Sequence, residues 1–429
     1  MSAALSMQSR GFLDVWLEGE LLGQLHDRTL GYLAFDFDEA TIERHGVGSL
    51  LLSLSLPVSW ETVDPFVATP FFAGLLPEGA GRERLCGQFG VALEDNWGLL
   101  AVLGRESAGA LVIVAAGEAP PDESDPGLQP LDEDELAAEL DALGEAPLGV
   151  TVDDDEIRLS LAGVQDKLPL ARTPEGQLAL PLRGHPSTVI AKPSRQTERF
   201  PDLVANEAFC LTVATLTGLP TTDFSVEHVR GVPLLLVERF DRRTDDEGRT
   251  VRVHQEDACQ ATAILPSQKY EHHGGPSLAR VAALIDEHSK QPGLDRLSLL
   301  RLTVLNTLLG NADAHGKNVS FLHTEDGVVL APAYDLVSTQ AYAHTDLLAM
   351  KIGAVERLRH VRRSDLIEQA AAIGIRERLA NQVIDEVGEK LAGALDLAQT
   401  KAAKEGWESA VIERIVAGAR ERAALQLTR

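Results

Sequence analysis

The stretch that most restricts how this chain can fold runs from Leu294 to Asp335. It opens with "LDRLSLLRLTVLNTLL", where Leu297, Leu300, Val304 and Leu308 recur at helical spacing, so one face of a helix must be covered by other parts of the chain. Gly310 ends it, as a glycine just past the last turn commonly does. The polar run "GNADAHGKN", residues 310–318, comes next, followed by "VSFLH" and "VVLAP", two short apolar runs parted by the turn "TEDG". That pattern predicts a hairpin. Asn318 immediately precedes the first strand, and Asp335 follows the second in "APAYDLVST". An antiparallel hairpin returns both residues to one open end, and Asp313 lies in the loop that enters that end.

Taken alone, "GNADAHGKN" is an ordinary solvated loop. With the hairpin it becomes a constellation: Asp, five residues later Asn, then a hairpin and a second Asp. Kinases arrange a proton acceptor and two magnesium ligands in this order. Asp313 is the candidate base, and Asn318 and Asp335 are the candidate metal ligands, whose hard oxygens suit Mg2+. His315 and Lys317 add donors where charge develops. Such chemistry needs a grip on ATP upstream. Lys192, at a strand end in "STVIAKPS", can reach phosphate oxygens as a point charge. Glu207, in "ANEAF", is a carboxylate able to pair with it. "SLAGVQDK", Ser160 to Lys167, has one glycine and is not the usual nucleotide-binding P-loop, but its small residues let backbone amides approach phosphates. "VERFDRR" falls where a hinge is expected, with backbone groups at Glu238 and Phe240 placed for adenine. Seen singly, each of these is equally a surface lysine, a turn or an amphipathic strand end.

A length of 429 residues predicts two to three domains. Residues 1–118 read as a small α/β module: "FLDVWLEGELLGQL", "LGYLAFDFD" and "SLLLSLSLPVSW" alternate like strands, "PFFAGLLPEGAGRERLCGQFG" is a helix broken at Pro77 and Gly79, and "LLAVLGRESAGALVIV" is helix then strand. Residues 119–149 form an acidic, proline-rich connector with a short helix, "EDELAAELDAL". Residues 150–253 are strand-rich, with a helix at "PDLVANEAFCLTVATLTGLP" and a hairpin turning at "RGVP". Residues 254–429 are helical apart from the hairpin already described. A strand-rich half followed by a helical half predicts a bilobal α+β fold.

The net charge of −26 argues against unaided binding to nucleic acid, where affinity comes from neutralising phosphates. No run reaches the ~18 apolar residues of a membrane span, and no secretion signal is evident at the start. Cys86, Cys210 and Cys259 match no metal spacing and fit a reducing cytoplasm.

The motifs "LSLSLP", "FFAGLLPEG", "LGRESAGAL", "LSLAGVQDKLPL", "STVIAKPS", "NEAFC", "LLVERFDRR", "QEDACQ", "YEHHGGPSL", "GNADAHGKN" and "APAYDLVS" occur in order along almost the whole chain. Together they resemble the HipA family, the serine/threonine-kinase toxins of HipBA-type toxin–antitoxin systems. The resemblance implies a protein-kinase-like fold behind an N-terminal subdomain, with ATP and Mg2+ as cofactors. It makes Asp313 the base and Asn318 and Asp335 the metal ligands. Ala162, Gly163, Val164, Gln165, Asp166 and Lys167 become the phosphate loop, with Lys192 beside it. Glu238, Arg239 and Phe240 fall at the adenine hinge, and His315, Gly316, Lys317 and Tyr334 line the nucleotide. Ser160 matches a serine that such kinases phosphorylate on themselves, switching the enzyme off. The implied partners are a small basic helix-turn-helix antitoxin dimer, through which alone DNA is reached, and a protein substrate, in this family an aminoacyl-tRNA synthetase. Two departures are visible: Val189 stands where the family often has His, and Asp166 where Glu is common. The rival expectations are a lipid or small-molecule kinase and a non-catalytic corepressor. The absence of a basic membrane-binding helix argues against the first, and the intact Asp313, Asn318 and Asp335 against the second.

Overall fold

A computed structural model describes residues 10–28, 31–121, 127–143, 167–182, 184–194, 200–342 and 346–428. The chain divides into two compact units, residues 1–188 with 241–266, and 189–240 with 267–429. The division does not follow chain order, because the chain leaves the first unit and later returns to it.

In the first unit, β1 (Leu13–Leu17), β2 (Glu20–Asp27), β3 (Leu33–Phe37) and β4 (Leu111–Ala115) form an antiparallel sheet in the order β3-β2-β1-β4. Alternation along the strands puts Leu13, Val15, Leu25 and Phe35 on the buried face. The helices of this unit are α1 (Glu39–His45), α2 (Pro65–Gly74), α3 (Gly79–Phe89) and α4 (Asn96–Leu103). Phe71 and Phe72 of α2 are fully buried, and Phe72 packs 5.5 Å from Phe35, ring centre to ring centre. The break expected at Pro77 and Gly79 is the gap between α2 and α3. Further on, β5 (Leu128–Pro130), β6 (Leu168–Arg172) and β7 (Leu178–Pro181) pair antiparallel in the order β5-β7-β6. The acidic helix α5 (Glu133–Ala142) starts with a reciprocal cap between Asp132 and Glu135.

The second unit begins with β8 (Val189–Pro193), α6 (Leu203–Thr217), β9 (Phe224–Val229) and β10 (Val232–Glu238). The strands run antiparallel as β8-β10-β9, with Lys192 opposite Leu235. The turn of the β9–β10 hairpin falls at Arg230 and Gly231, as expected.

Residues 241–266 then rejoin the first unit through β11 (Arg242–Thr244), β12 (Thr250–Arg252) and β13 (His254–Asp257). They are fastened there by buried charge. Glu106 accepts from Arg242 Nη2 at 2.8 Å, from the Ser187 hydroxyl at 3.1 Å and from Arg252. Asp241 accepts from the Gly109 amide at 2.7 Å. Glu256 accepts from the Ser53 hydroxyl at 2.5 Å and the Leu54 amide at 2.8 Å. This last contact explains why "SLLLSLSLPVSW" is not the expected strand but a set of turns with one isolated bridge, Ser53 to Leu56. A carboxylate from far along the chain takes hydrogen bonds that a neighbouring strand would otherwise supply.

The remainder of the second unit is mainly helical: α7 (Leu278–His288), α8 (Pro292–Leu309), α9 (Arg363–Ala372), α10 (Glu377–Glu405) and α11 (Ala410–Gln426). The predicted helix is α8, buried along Leu299, Leu300, Val304 and Leu308 and packed on α10 and α11. The expected hairpin is β14 (Ser320–Thr324) and β15 (Gly327–Leu330). A second hairpin, β16 (Leu347–Ile352) with β17 (Val355–Arg357), was not expected, so this half is not wholly helical. The class is mixed α+β, as the sequence implies.

Gly310 ends α8 with φ +81°, and a Cβ there would stand 2.7 Å from Arg422 Nη2. That guanidinium donates to Leu308 O at 2.8 Å, and burial holds its pKa down at about 10. Gly310→Ala therefore meets both a left-handed backbone and a filled space. It should cost about 2–4 kcal/mol in urea denaturation, and an unchanged midpoint would contradict this packing.

Candidate active site

The site is built around one buried ammonium. Strand β8 turns Val189 and Ala191 into the core and places Lys192 at its end, 8% exposed. Lys192 Nζ donates to both oxygens of Glu207, at 2.7 and 2.9 Å, and to Asp335 Oδ1 at 3.3 Å. Burial acts to lower the pKa of the ammonium, but the two carboxylates outweigh it and hold Lys192 above its ordinary value, so it stays charged. Glu207 is presented by the buried first half of α6. One residue earlier, Asn206 donates to Ser338 O at 3.0 Å and accepts from Ser338 N at 2.8 Å, which fastens α6 to the segment after Asp335.

Asp335 has φ +55°, left-handed without being glycine. Such a residue costs on the order of 1–3 kcal/mol and persists only where its surroundings fix it. Here they do. Asn318 Nδ2 donates to Asp335 Oδ2 at 2.9 Å, while Lys192 takes the other oxygen. The neighbouring Tyr334 donates its hydroxyl to Lys317 O at 2.6 Å. The hairpin β14–β15 thus brings Asn318 and Asp335 into direct contact, as its spacing implied.

The loop 310–318 is a frame, not a solvated connection. The Asn311 amide donates to Asn306 O at 2.8 Å, and the Ala312 amide to Thr339 Oγ1 at 3.0 Å. The Asp313 amide donates to Asn311 Oδ1 at 3.0 Å, and the His315 amide to Asn318 Oδ1 at 3.1 Å. From outside, Ala349 N donates to Ala312 O at 2.8 Å, and Gly316 N to Lys269 O at 3.2 Å. Asp313 is the exposed residue of this frame, and Tyr270 donates its hydroxyl to Asp313 Oδ1 at 2.9 Å.

His315, Gly316 and Lys317 are buried within the loop. The ring of Tyr334 packs 5.3 Å from that of Phe240. Beside Phe240, Glu238 donates its amide to Asp223 O at 2.9 Å and accepts at its carbonyl from the Thr222 hydroxyl at 2.6 Å, while Arg239 is buried. The β10 end is therefore held from behind. Lys167 is buried just before β6, in the first unit. Ser160 and the loop residues Ala162, Gly163, Val164, Gln165 and Asp166 lie outside the described residues. Sequence reasoning gave no role to Tyr270, Asn206 or Thr339. "YEHHGGPSL" was noticed as a motif, but nothing local ties its tyrosine to a loop some forty residues later.

An exposed carboxylate on a rigid loop, an Asn–Asp pair beside it and a buried Lys–Glu pair behind are the parts of a phosphoryl-transfer enzyme of the kinase class. The comparisons with known proteins agree. Residues 159–395 match the HipA-like C-terminal domain, and residues 13–114 the HipA N-terminal domain. A protein of Sinorhizobium fredii bearing a kinase name is 37% identical over 396 residues, covering 90% of this chain and 92% of that one. The serine/threonine-protein kinase toxin HipA of Shewanella oneidensis is 31% identical over 341 residues, 74% of this chain and 75% of its own. The solved complex of Shewanella oneidensis HipA with HipB and operator DNA superposes with a TM-score of 0.79 at 26% identity, covering 96% of this chain and 98% of that one. This chain belongs to the HipA family and is a serine/threonine-protein kinase.

Lys192→Met takes from Glu207, 2% exposed, the ammonium that donates to both of its oxygens. The single change should cost about 3–5 kcal/mol in chemical denaturation. Adding Glu207→Leu should restore at least about 1.5 kcal/mol, because it removes the buried charge that lost its ammonium. A double variant no more stable than the single one would mean that the pair is not coupled.

Proposed function

We propose that this kinase transfers the γ-phosphoryl group of ATP to a serine or threonine hydroxyl of a protein, with Asp313 accepting the hydroxyl proton and Asn318 and Asp335 holding magnesium. The observation that carries the reading is the contact of Asn318 with Asp335 beside the exposed Asp313. The side chain of Asp335 is 44% exposed, so a hard oxygen faces solvent, where a strongly hydrated cation can use it without losing most of its waters. Held by Asn318 and Asp335, such a metal would supply positive charge to offset that of the phosphates. The rest is done by the chain. Lys192 offers a fixed positive charge to the phosphates, and Glu207 keeps it aimed. Phe240 and Tyr334 give the adenine an aromatic wall, next to the backbone of Glu238 and Arg239. His315, Gly316 and Lys317 line the phosphate side. Asp313 orients the acceptor oxygen and takes its proton as the oxygen attacks.

The biological setting follows the family. The Shewanella relative is a toxin, solved with HipB and operator DNA. By analogy this chain acts in the cytoplasm as a toxin, arrests growth by phosphorylating a translation component such as an aminoacyl-tRNA synthetase, and binds a small basic helix-turn-helix dimer. Its charge of −26 supports the view that the partner supplies the DNA-binding surface. Phosphorylation of Ser160 by the chain itself would place a charge near −2 beside the phosphate loop and lower ATP affinity.

With γ-labelled ATP and Mg2+, the wild-type chain should become labelled at Ser160. Asp313→Asn and Asp335→Asn should each reduce transfer by at least about a hundredfold, and Asp313→Asn should do so while keeping the wild-type melting temperature. Transfer within about tenfold of wild type, ~1.4 kcal/mol of barrier, would sink the assignment. The chain alone should give no sequence-specific DNA shift at physiological salt, whereas its complex with a co-purified small basic protein should.

A further inference from the structure

Among the described residues, the contact that the kinase reading leaves unexplained is the phenol on the base. Tyr270 belongs to a short turn, residues 269–275, tied on both sides to the catalytic frame. The carbonyl of Lys269 accepts from Gly316 N at 3.2 Å, inside the loop that carries Asp313. The carboxylate of Glu271 accepts from Lys351 N at 2.7 Å on β16, the strand that also donates to Ala312 O. The turn closes on itself, since His273 N and Gly275 N both donate to Tyr270 O at 2.9 Å. Gly275 is required there: a Cβ would stand 2.5 Å from Gln268 O and 2.7 Å from the carbonyl carbon of Tyr270. The ring itself is walled by His315, edge-on at 5.5 Å, and His272, stacked at 5.5 Å. A tyrosine at a surface turn needs none of this. One whose hydroxyl must stay at a fixed point does.

We propose that Tyr270 is a positioning residue for phosphoryl transfer. This rests on the reading of Asp313 as the base. An exposed carboxylate turns about its side-chain torsions unless a contact holds it. With Oδ1 held by the phenol, the Asp313 carboxylate keeps one orientation, and an acceptor hydroxyl arriving from solvent meets an oxygen already aligned. During transfer the acceptor O–H proton passes to Asp313, the acceptor oxygen bonds to phosphorus, and ADP leaves. Tyr270 takes no part in the bond changes. It acts on the rate of the chemical step and not on nucleotide binding, because its hydroxyl touches Asp313 and not the nucleotide-lining groups, and the ring beside His315 is kept when that hydroxyl is removed.

The test is Tyr270→Phe, which removes one oxygen and keeps the ring packing. Transfer from γ-labelled ATP with Mg2+, to the chain itself and to dephosphorylated casein, is followed in single turnover over a range of ATP concentrations. The maximal rate should fall about tenfold or more. The half-saturating ATP concentration should stay within about twofold, and the melting temperature within about 2 °C. In an Asp313→Asn background the same change should slow the residual rate by less than about twofold, because a positioning residue has nothing left to position. A wild-type rate in Tyr270→Phe would overturn the proposal. So would a fall matched by weaker ATP saturation, or an undiminished effect without Asp313. Failure of the base assignment is told apart by Asp313→Asn alone: if that variant transfers at the wild-type rate, or if the wild-type chain labels neither acceptor, the kinase reading falls and this proposal falls with it.

Discussion

Everything at the site depends on keeping one ammonium charged away from water. Burial pulls the pKa of Lys192 down, and a neutral amine would offer phosphate no positive charge. Two carboxylates prevent this, and they come from different elements: Glu207 from α6 and Asp335 from the segment after the β14–β15 hairpin. The ion pair therefore does more than stabilise. It fixes the distance between a strand, a helix and a hairpin end, and the Asn206–Ser338 hydrogen bonds repeat the same tie through uncharged groups. Charge and neutral bonds fail under different conditions, so the geometry does not rest on either alone.

The same economy governs the catalytic loop. A nine-residue polar loop with free backbone groups would sample many conformations, and a base carried on it would be in the right place only part of the time. Here side chains substitute for secondary structure. Asn311, Asn318 and Thr339 accept from backbone amides that no helix or strand serves, so the loop is as determined as the α8 helix that leads into it. Asparagine and threonine are suited to this, being short and able to bond to nearby backbone.

What was legible in the sequence is what local rules encode. The α8 periodicity, the Gly310 stop and the turn at "TEDG" each act over a few residues, and together they force Asn318 and Asp335 together. The Lys192–Glu207 pair could also be foreseen, as a strand-end lysine followed within one connection by an acidic residue in the first turns of a helix. Long-range contacts were not legible. "SLLLSLSLPVSW" has a strand's composition, but Glu256, some two hundred residues away, captures its polar groups. "LLAMKI" forms β16, yet a short continuous apolar run cannot be told from buried helix by periodicity. Tyr270 meets Asp313 only because the turn around it is pinned to two other elements, and nothing in its own neighbourhood announces that.

"VERFDRR" shows how a motif can serve two ends. Its first half closes β10, where Phe240 packs on Tyr334. Its second half enters the other unit, where Asp241 and Arg242 join Glu106 in a cluster of buried charge. That cluster resembles the Lys192 cluster in composition: acidic and basic side chains, close together, inside a core. Exposure separates them. The side chains of Arg242, Arg252 and Glu106 are 3%, 4% and 4% exposed, so every charge is answered by another protein group and a ligand has no entry. In the Lys192 cluster the corresponding values are 10% for Lys192, 2% for Glu207 and 44% for Asp335. One member of that cluster reaches water, and an oxygen that reaches water can exchange it for a cation or a phosphate-bound metal. A sealed ionic cluster holds a fold together. An open one, held as firmly on its inner side, becomes a place where charge can be moved.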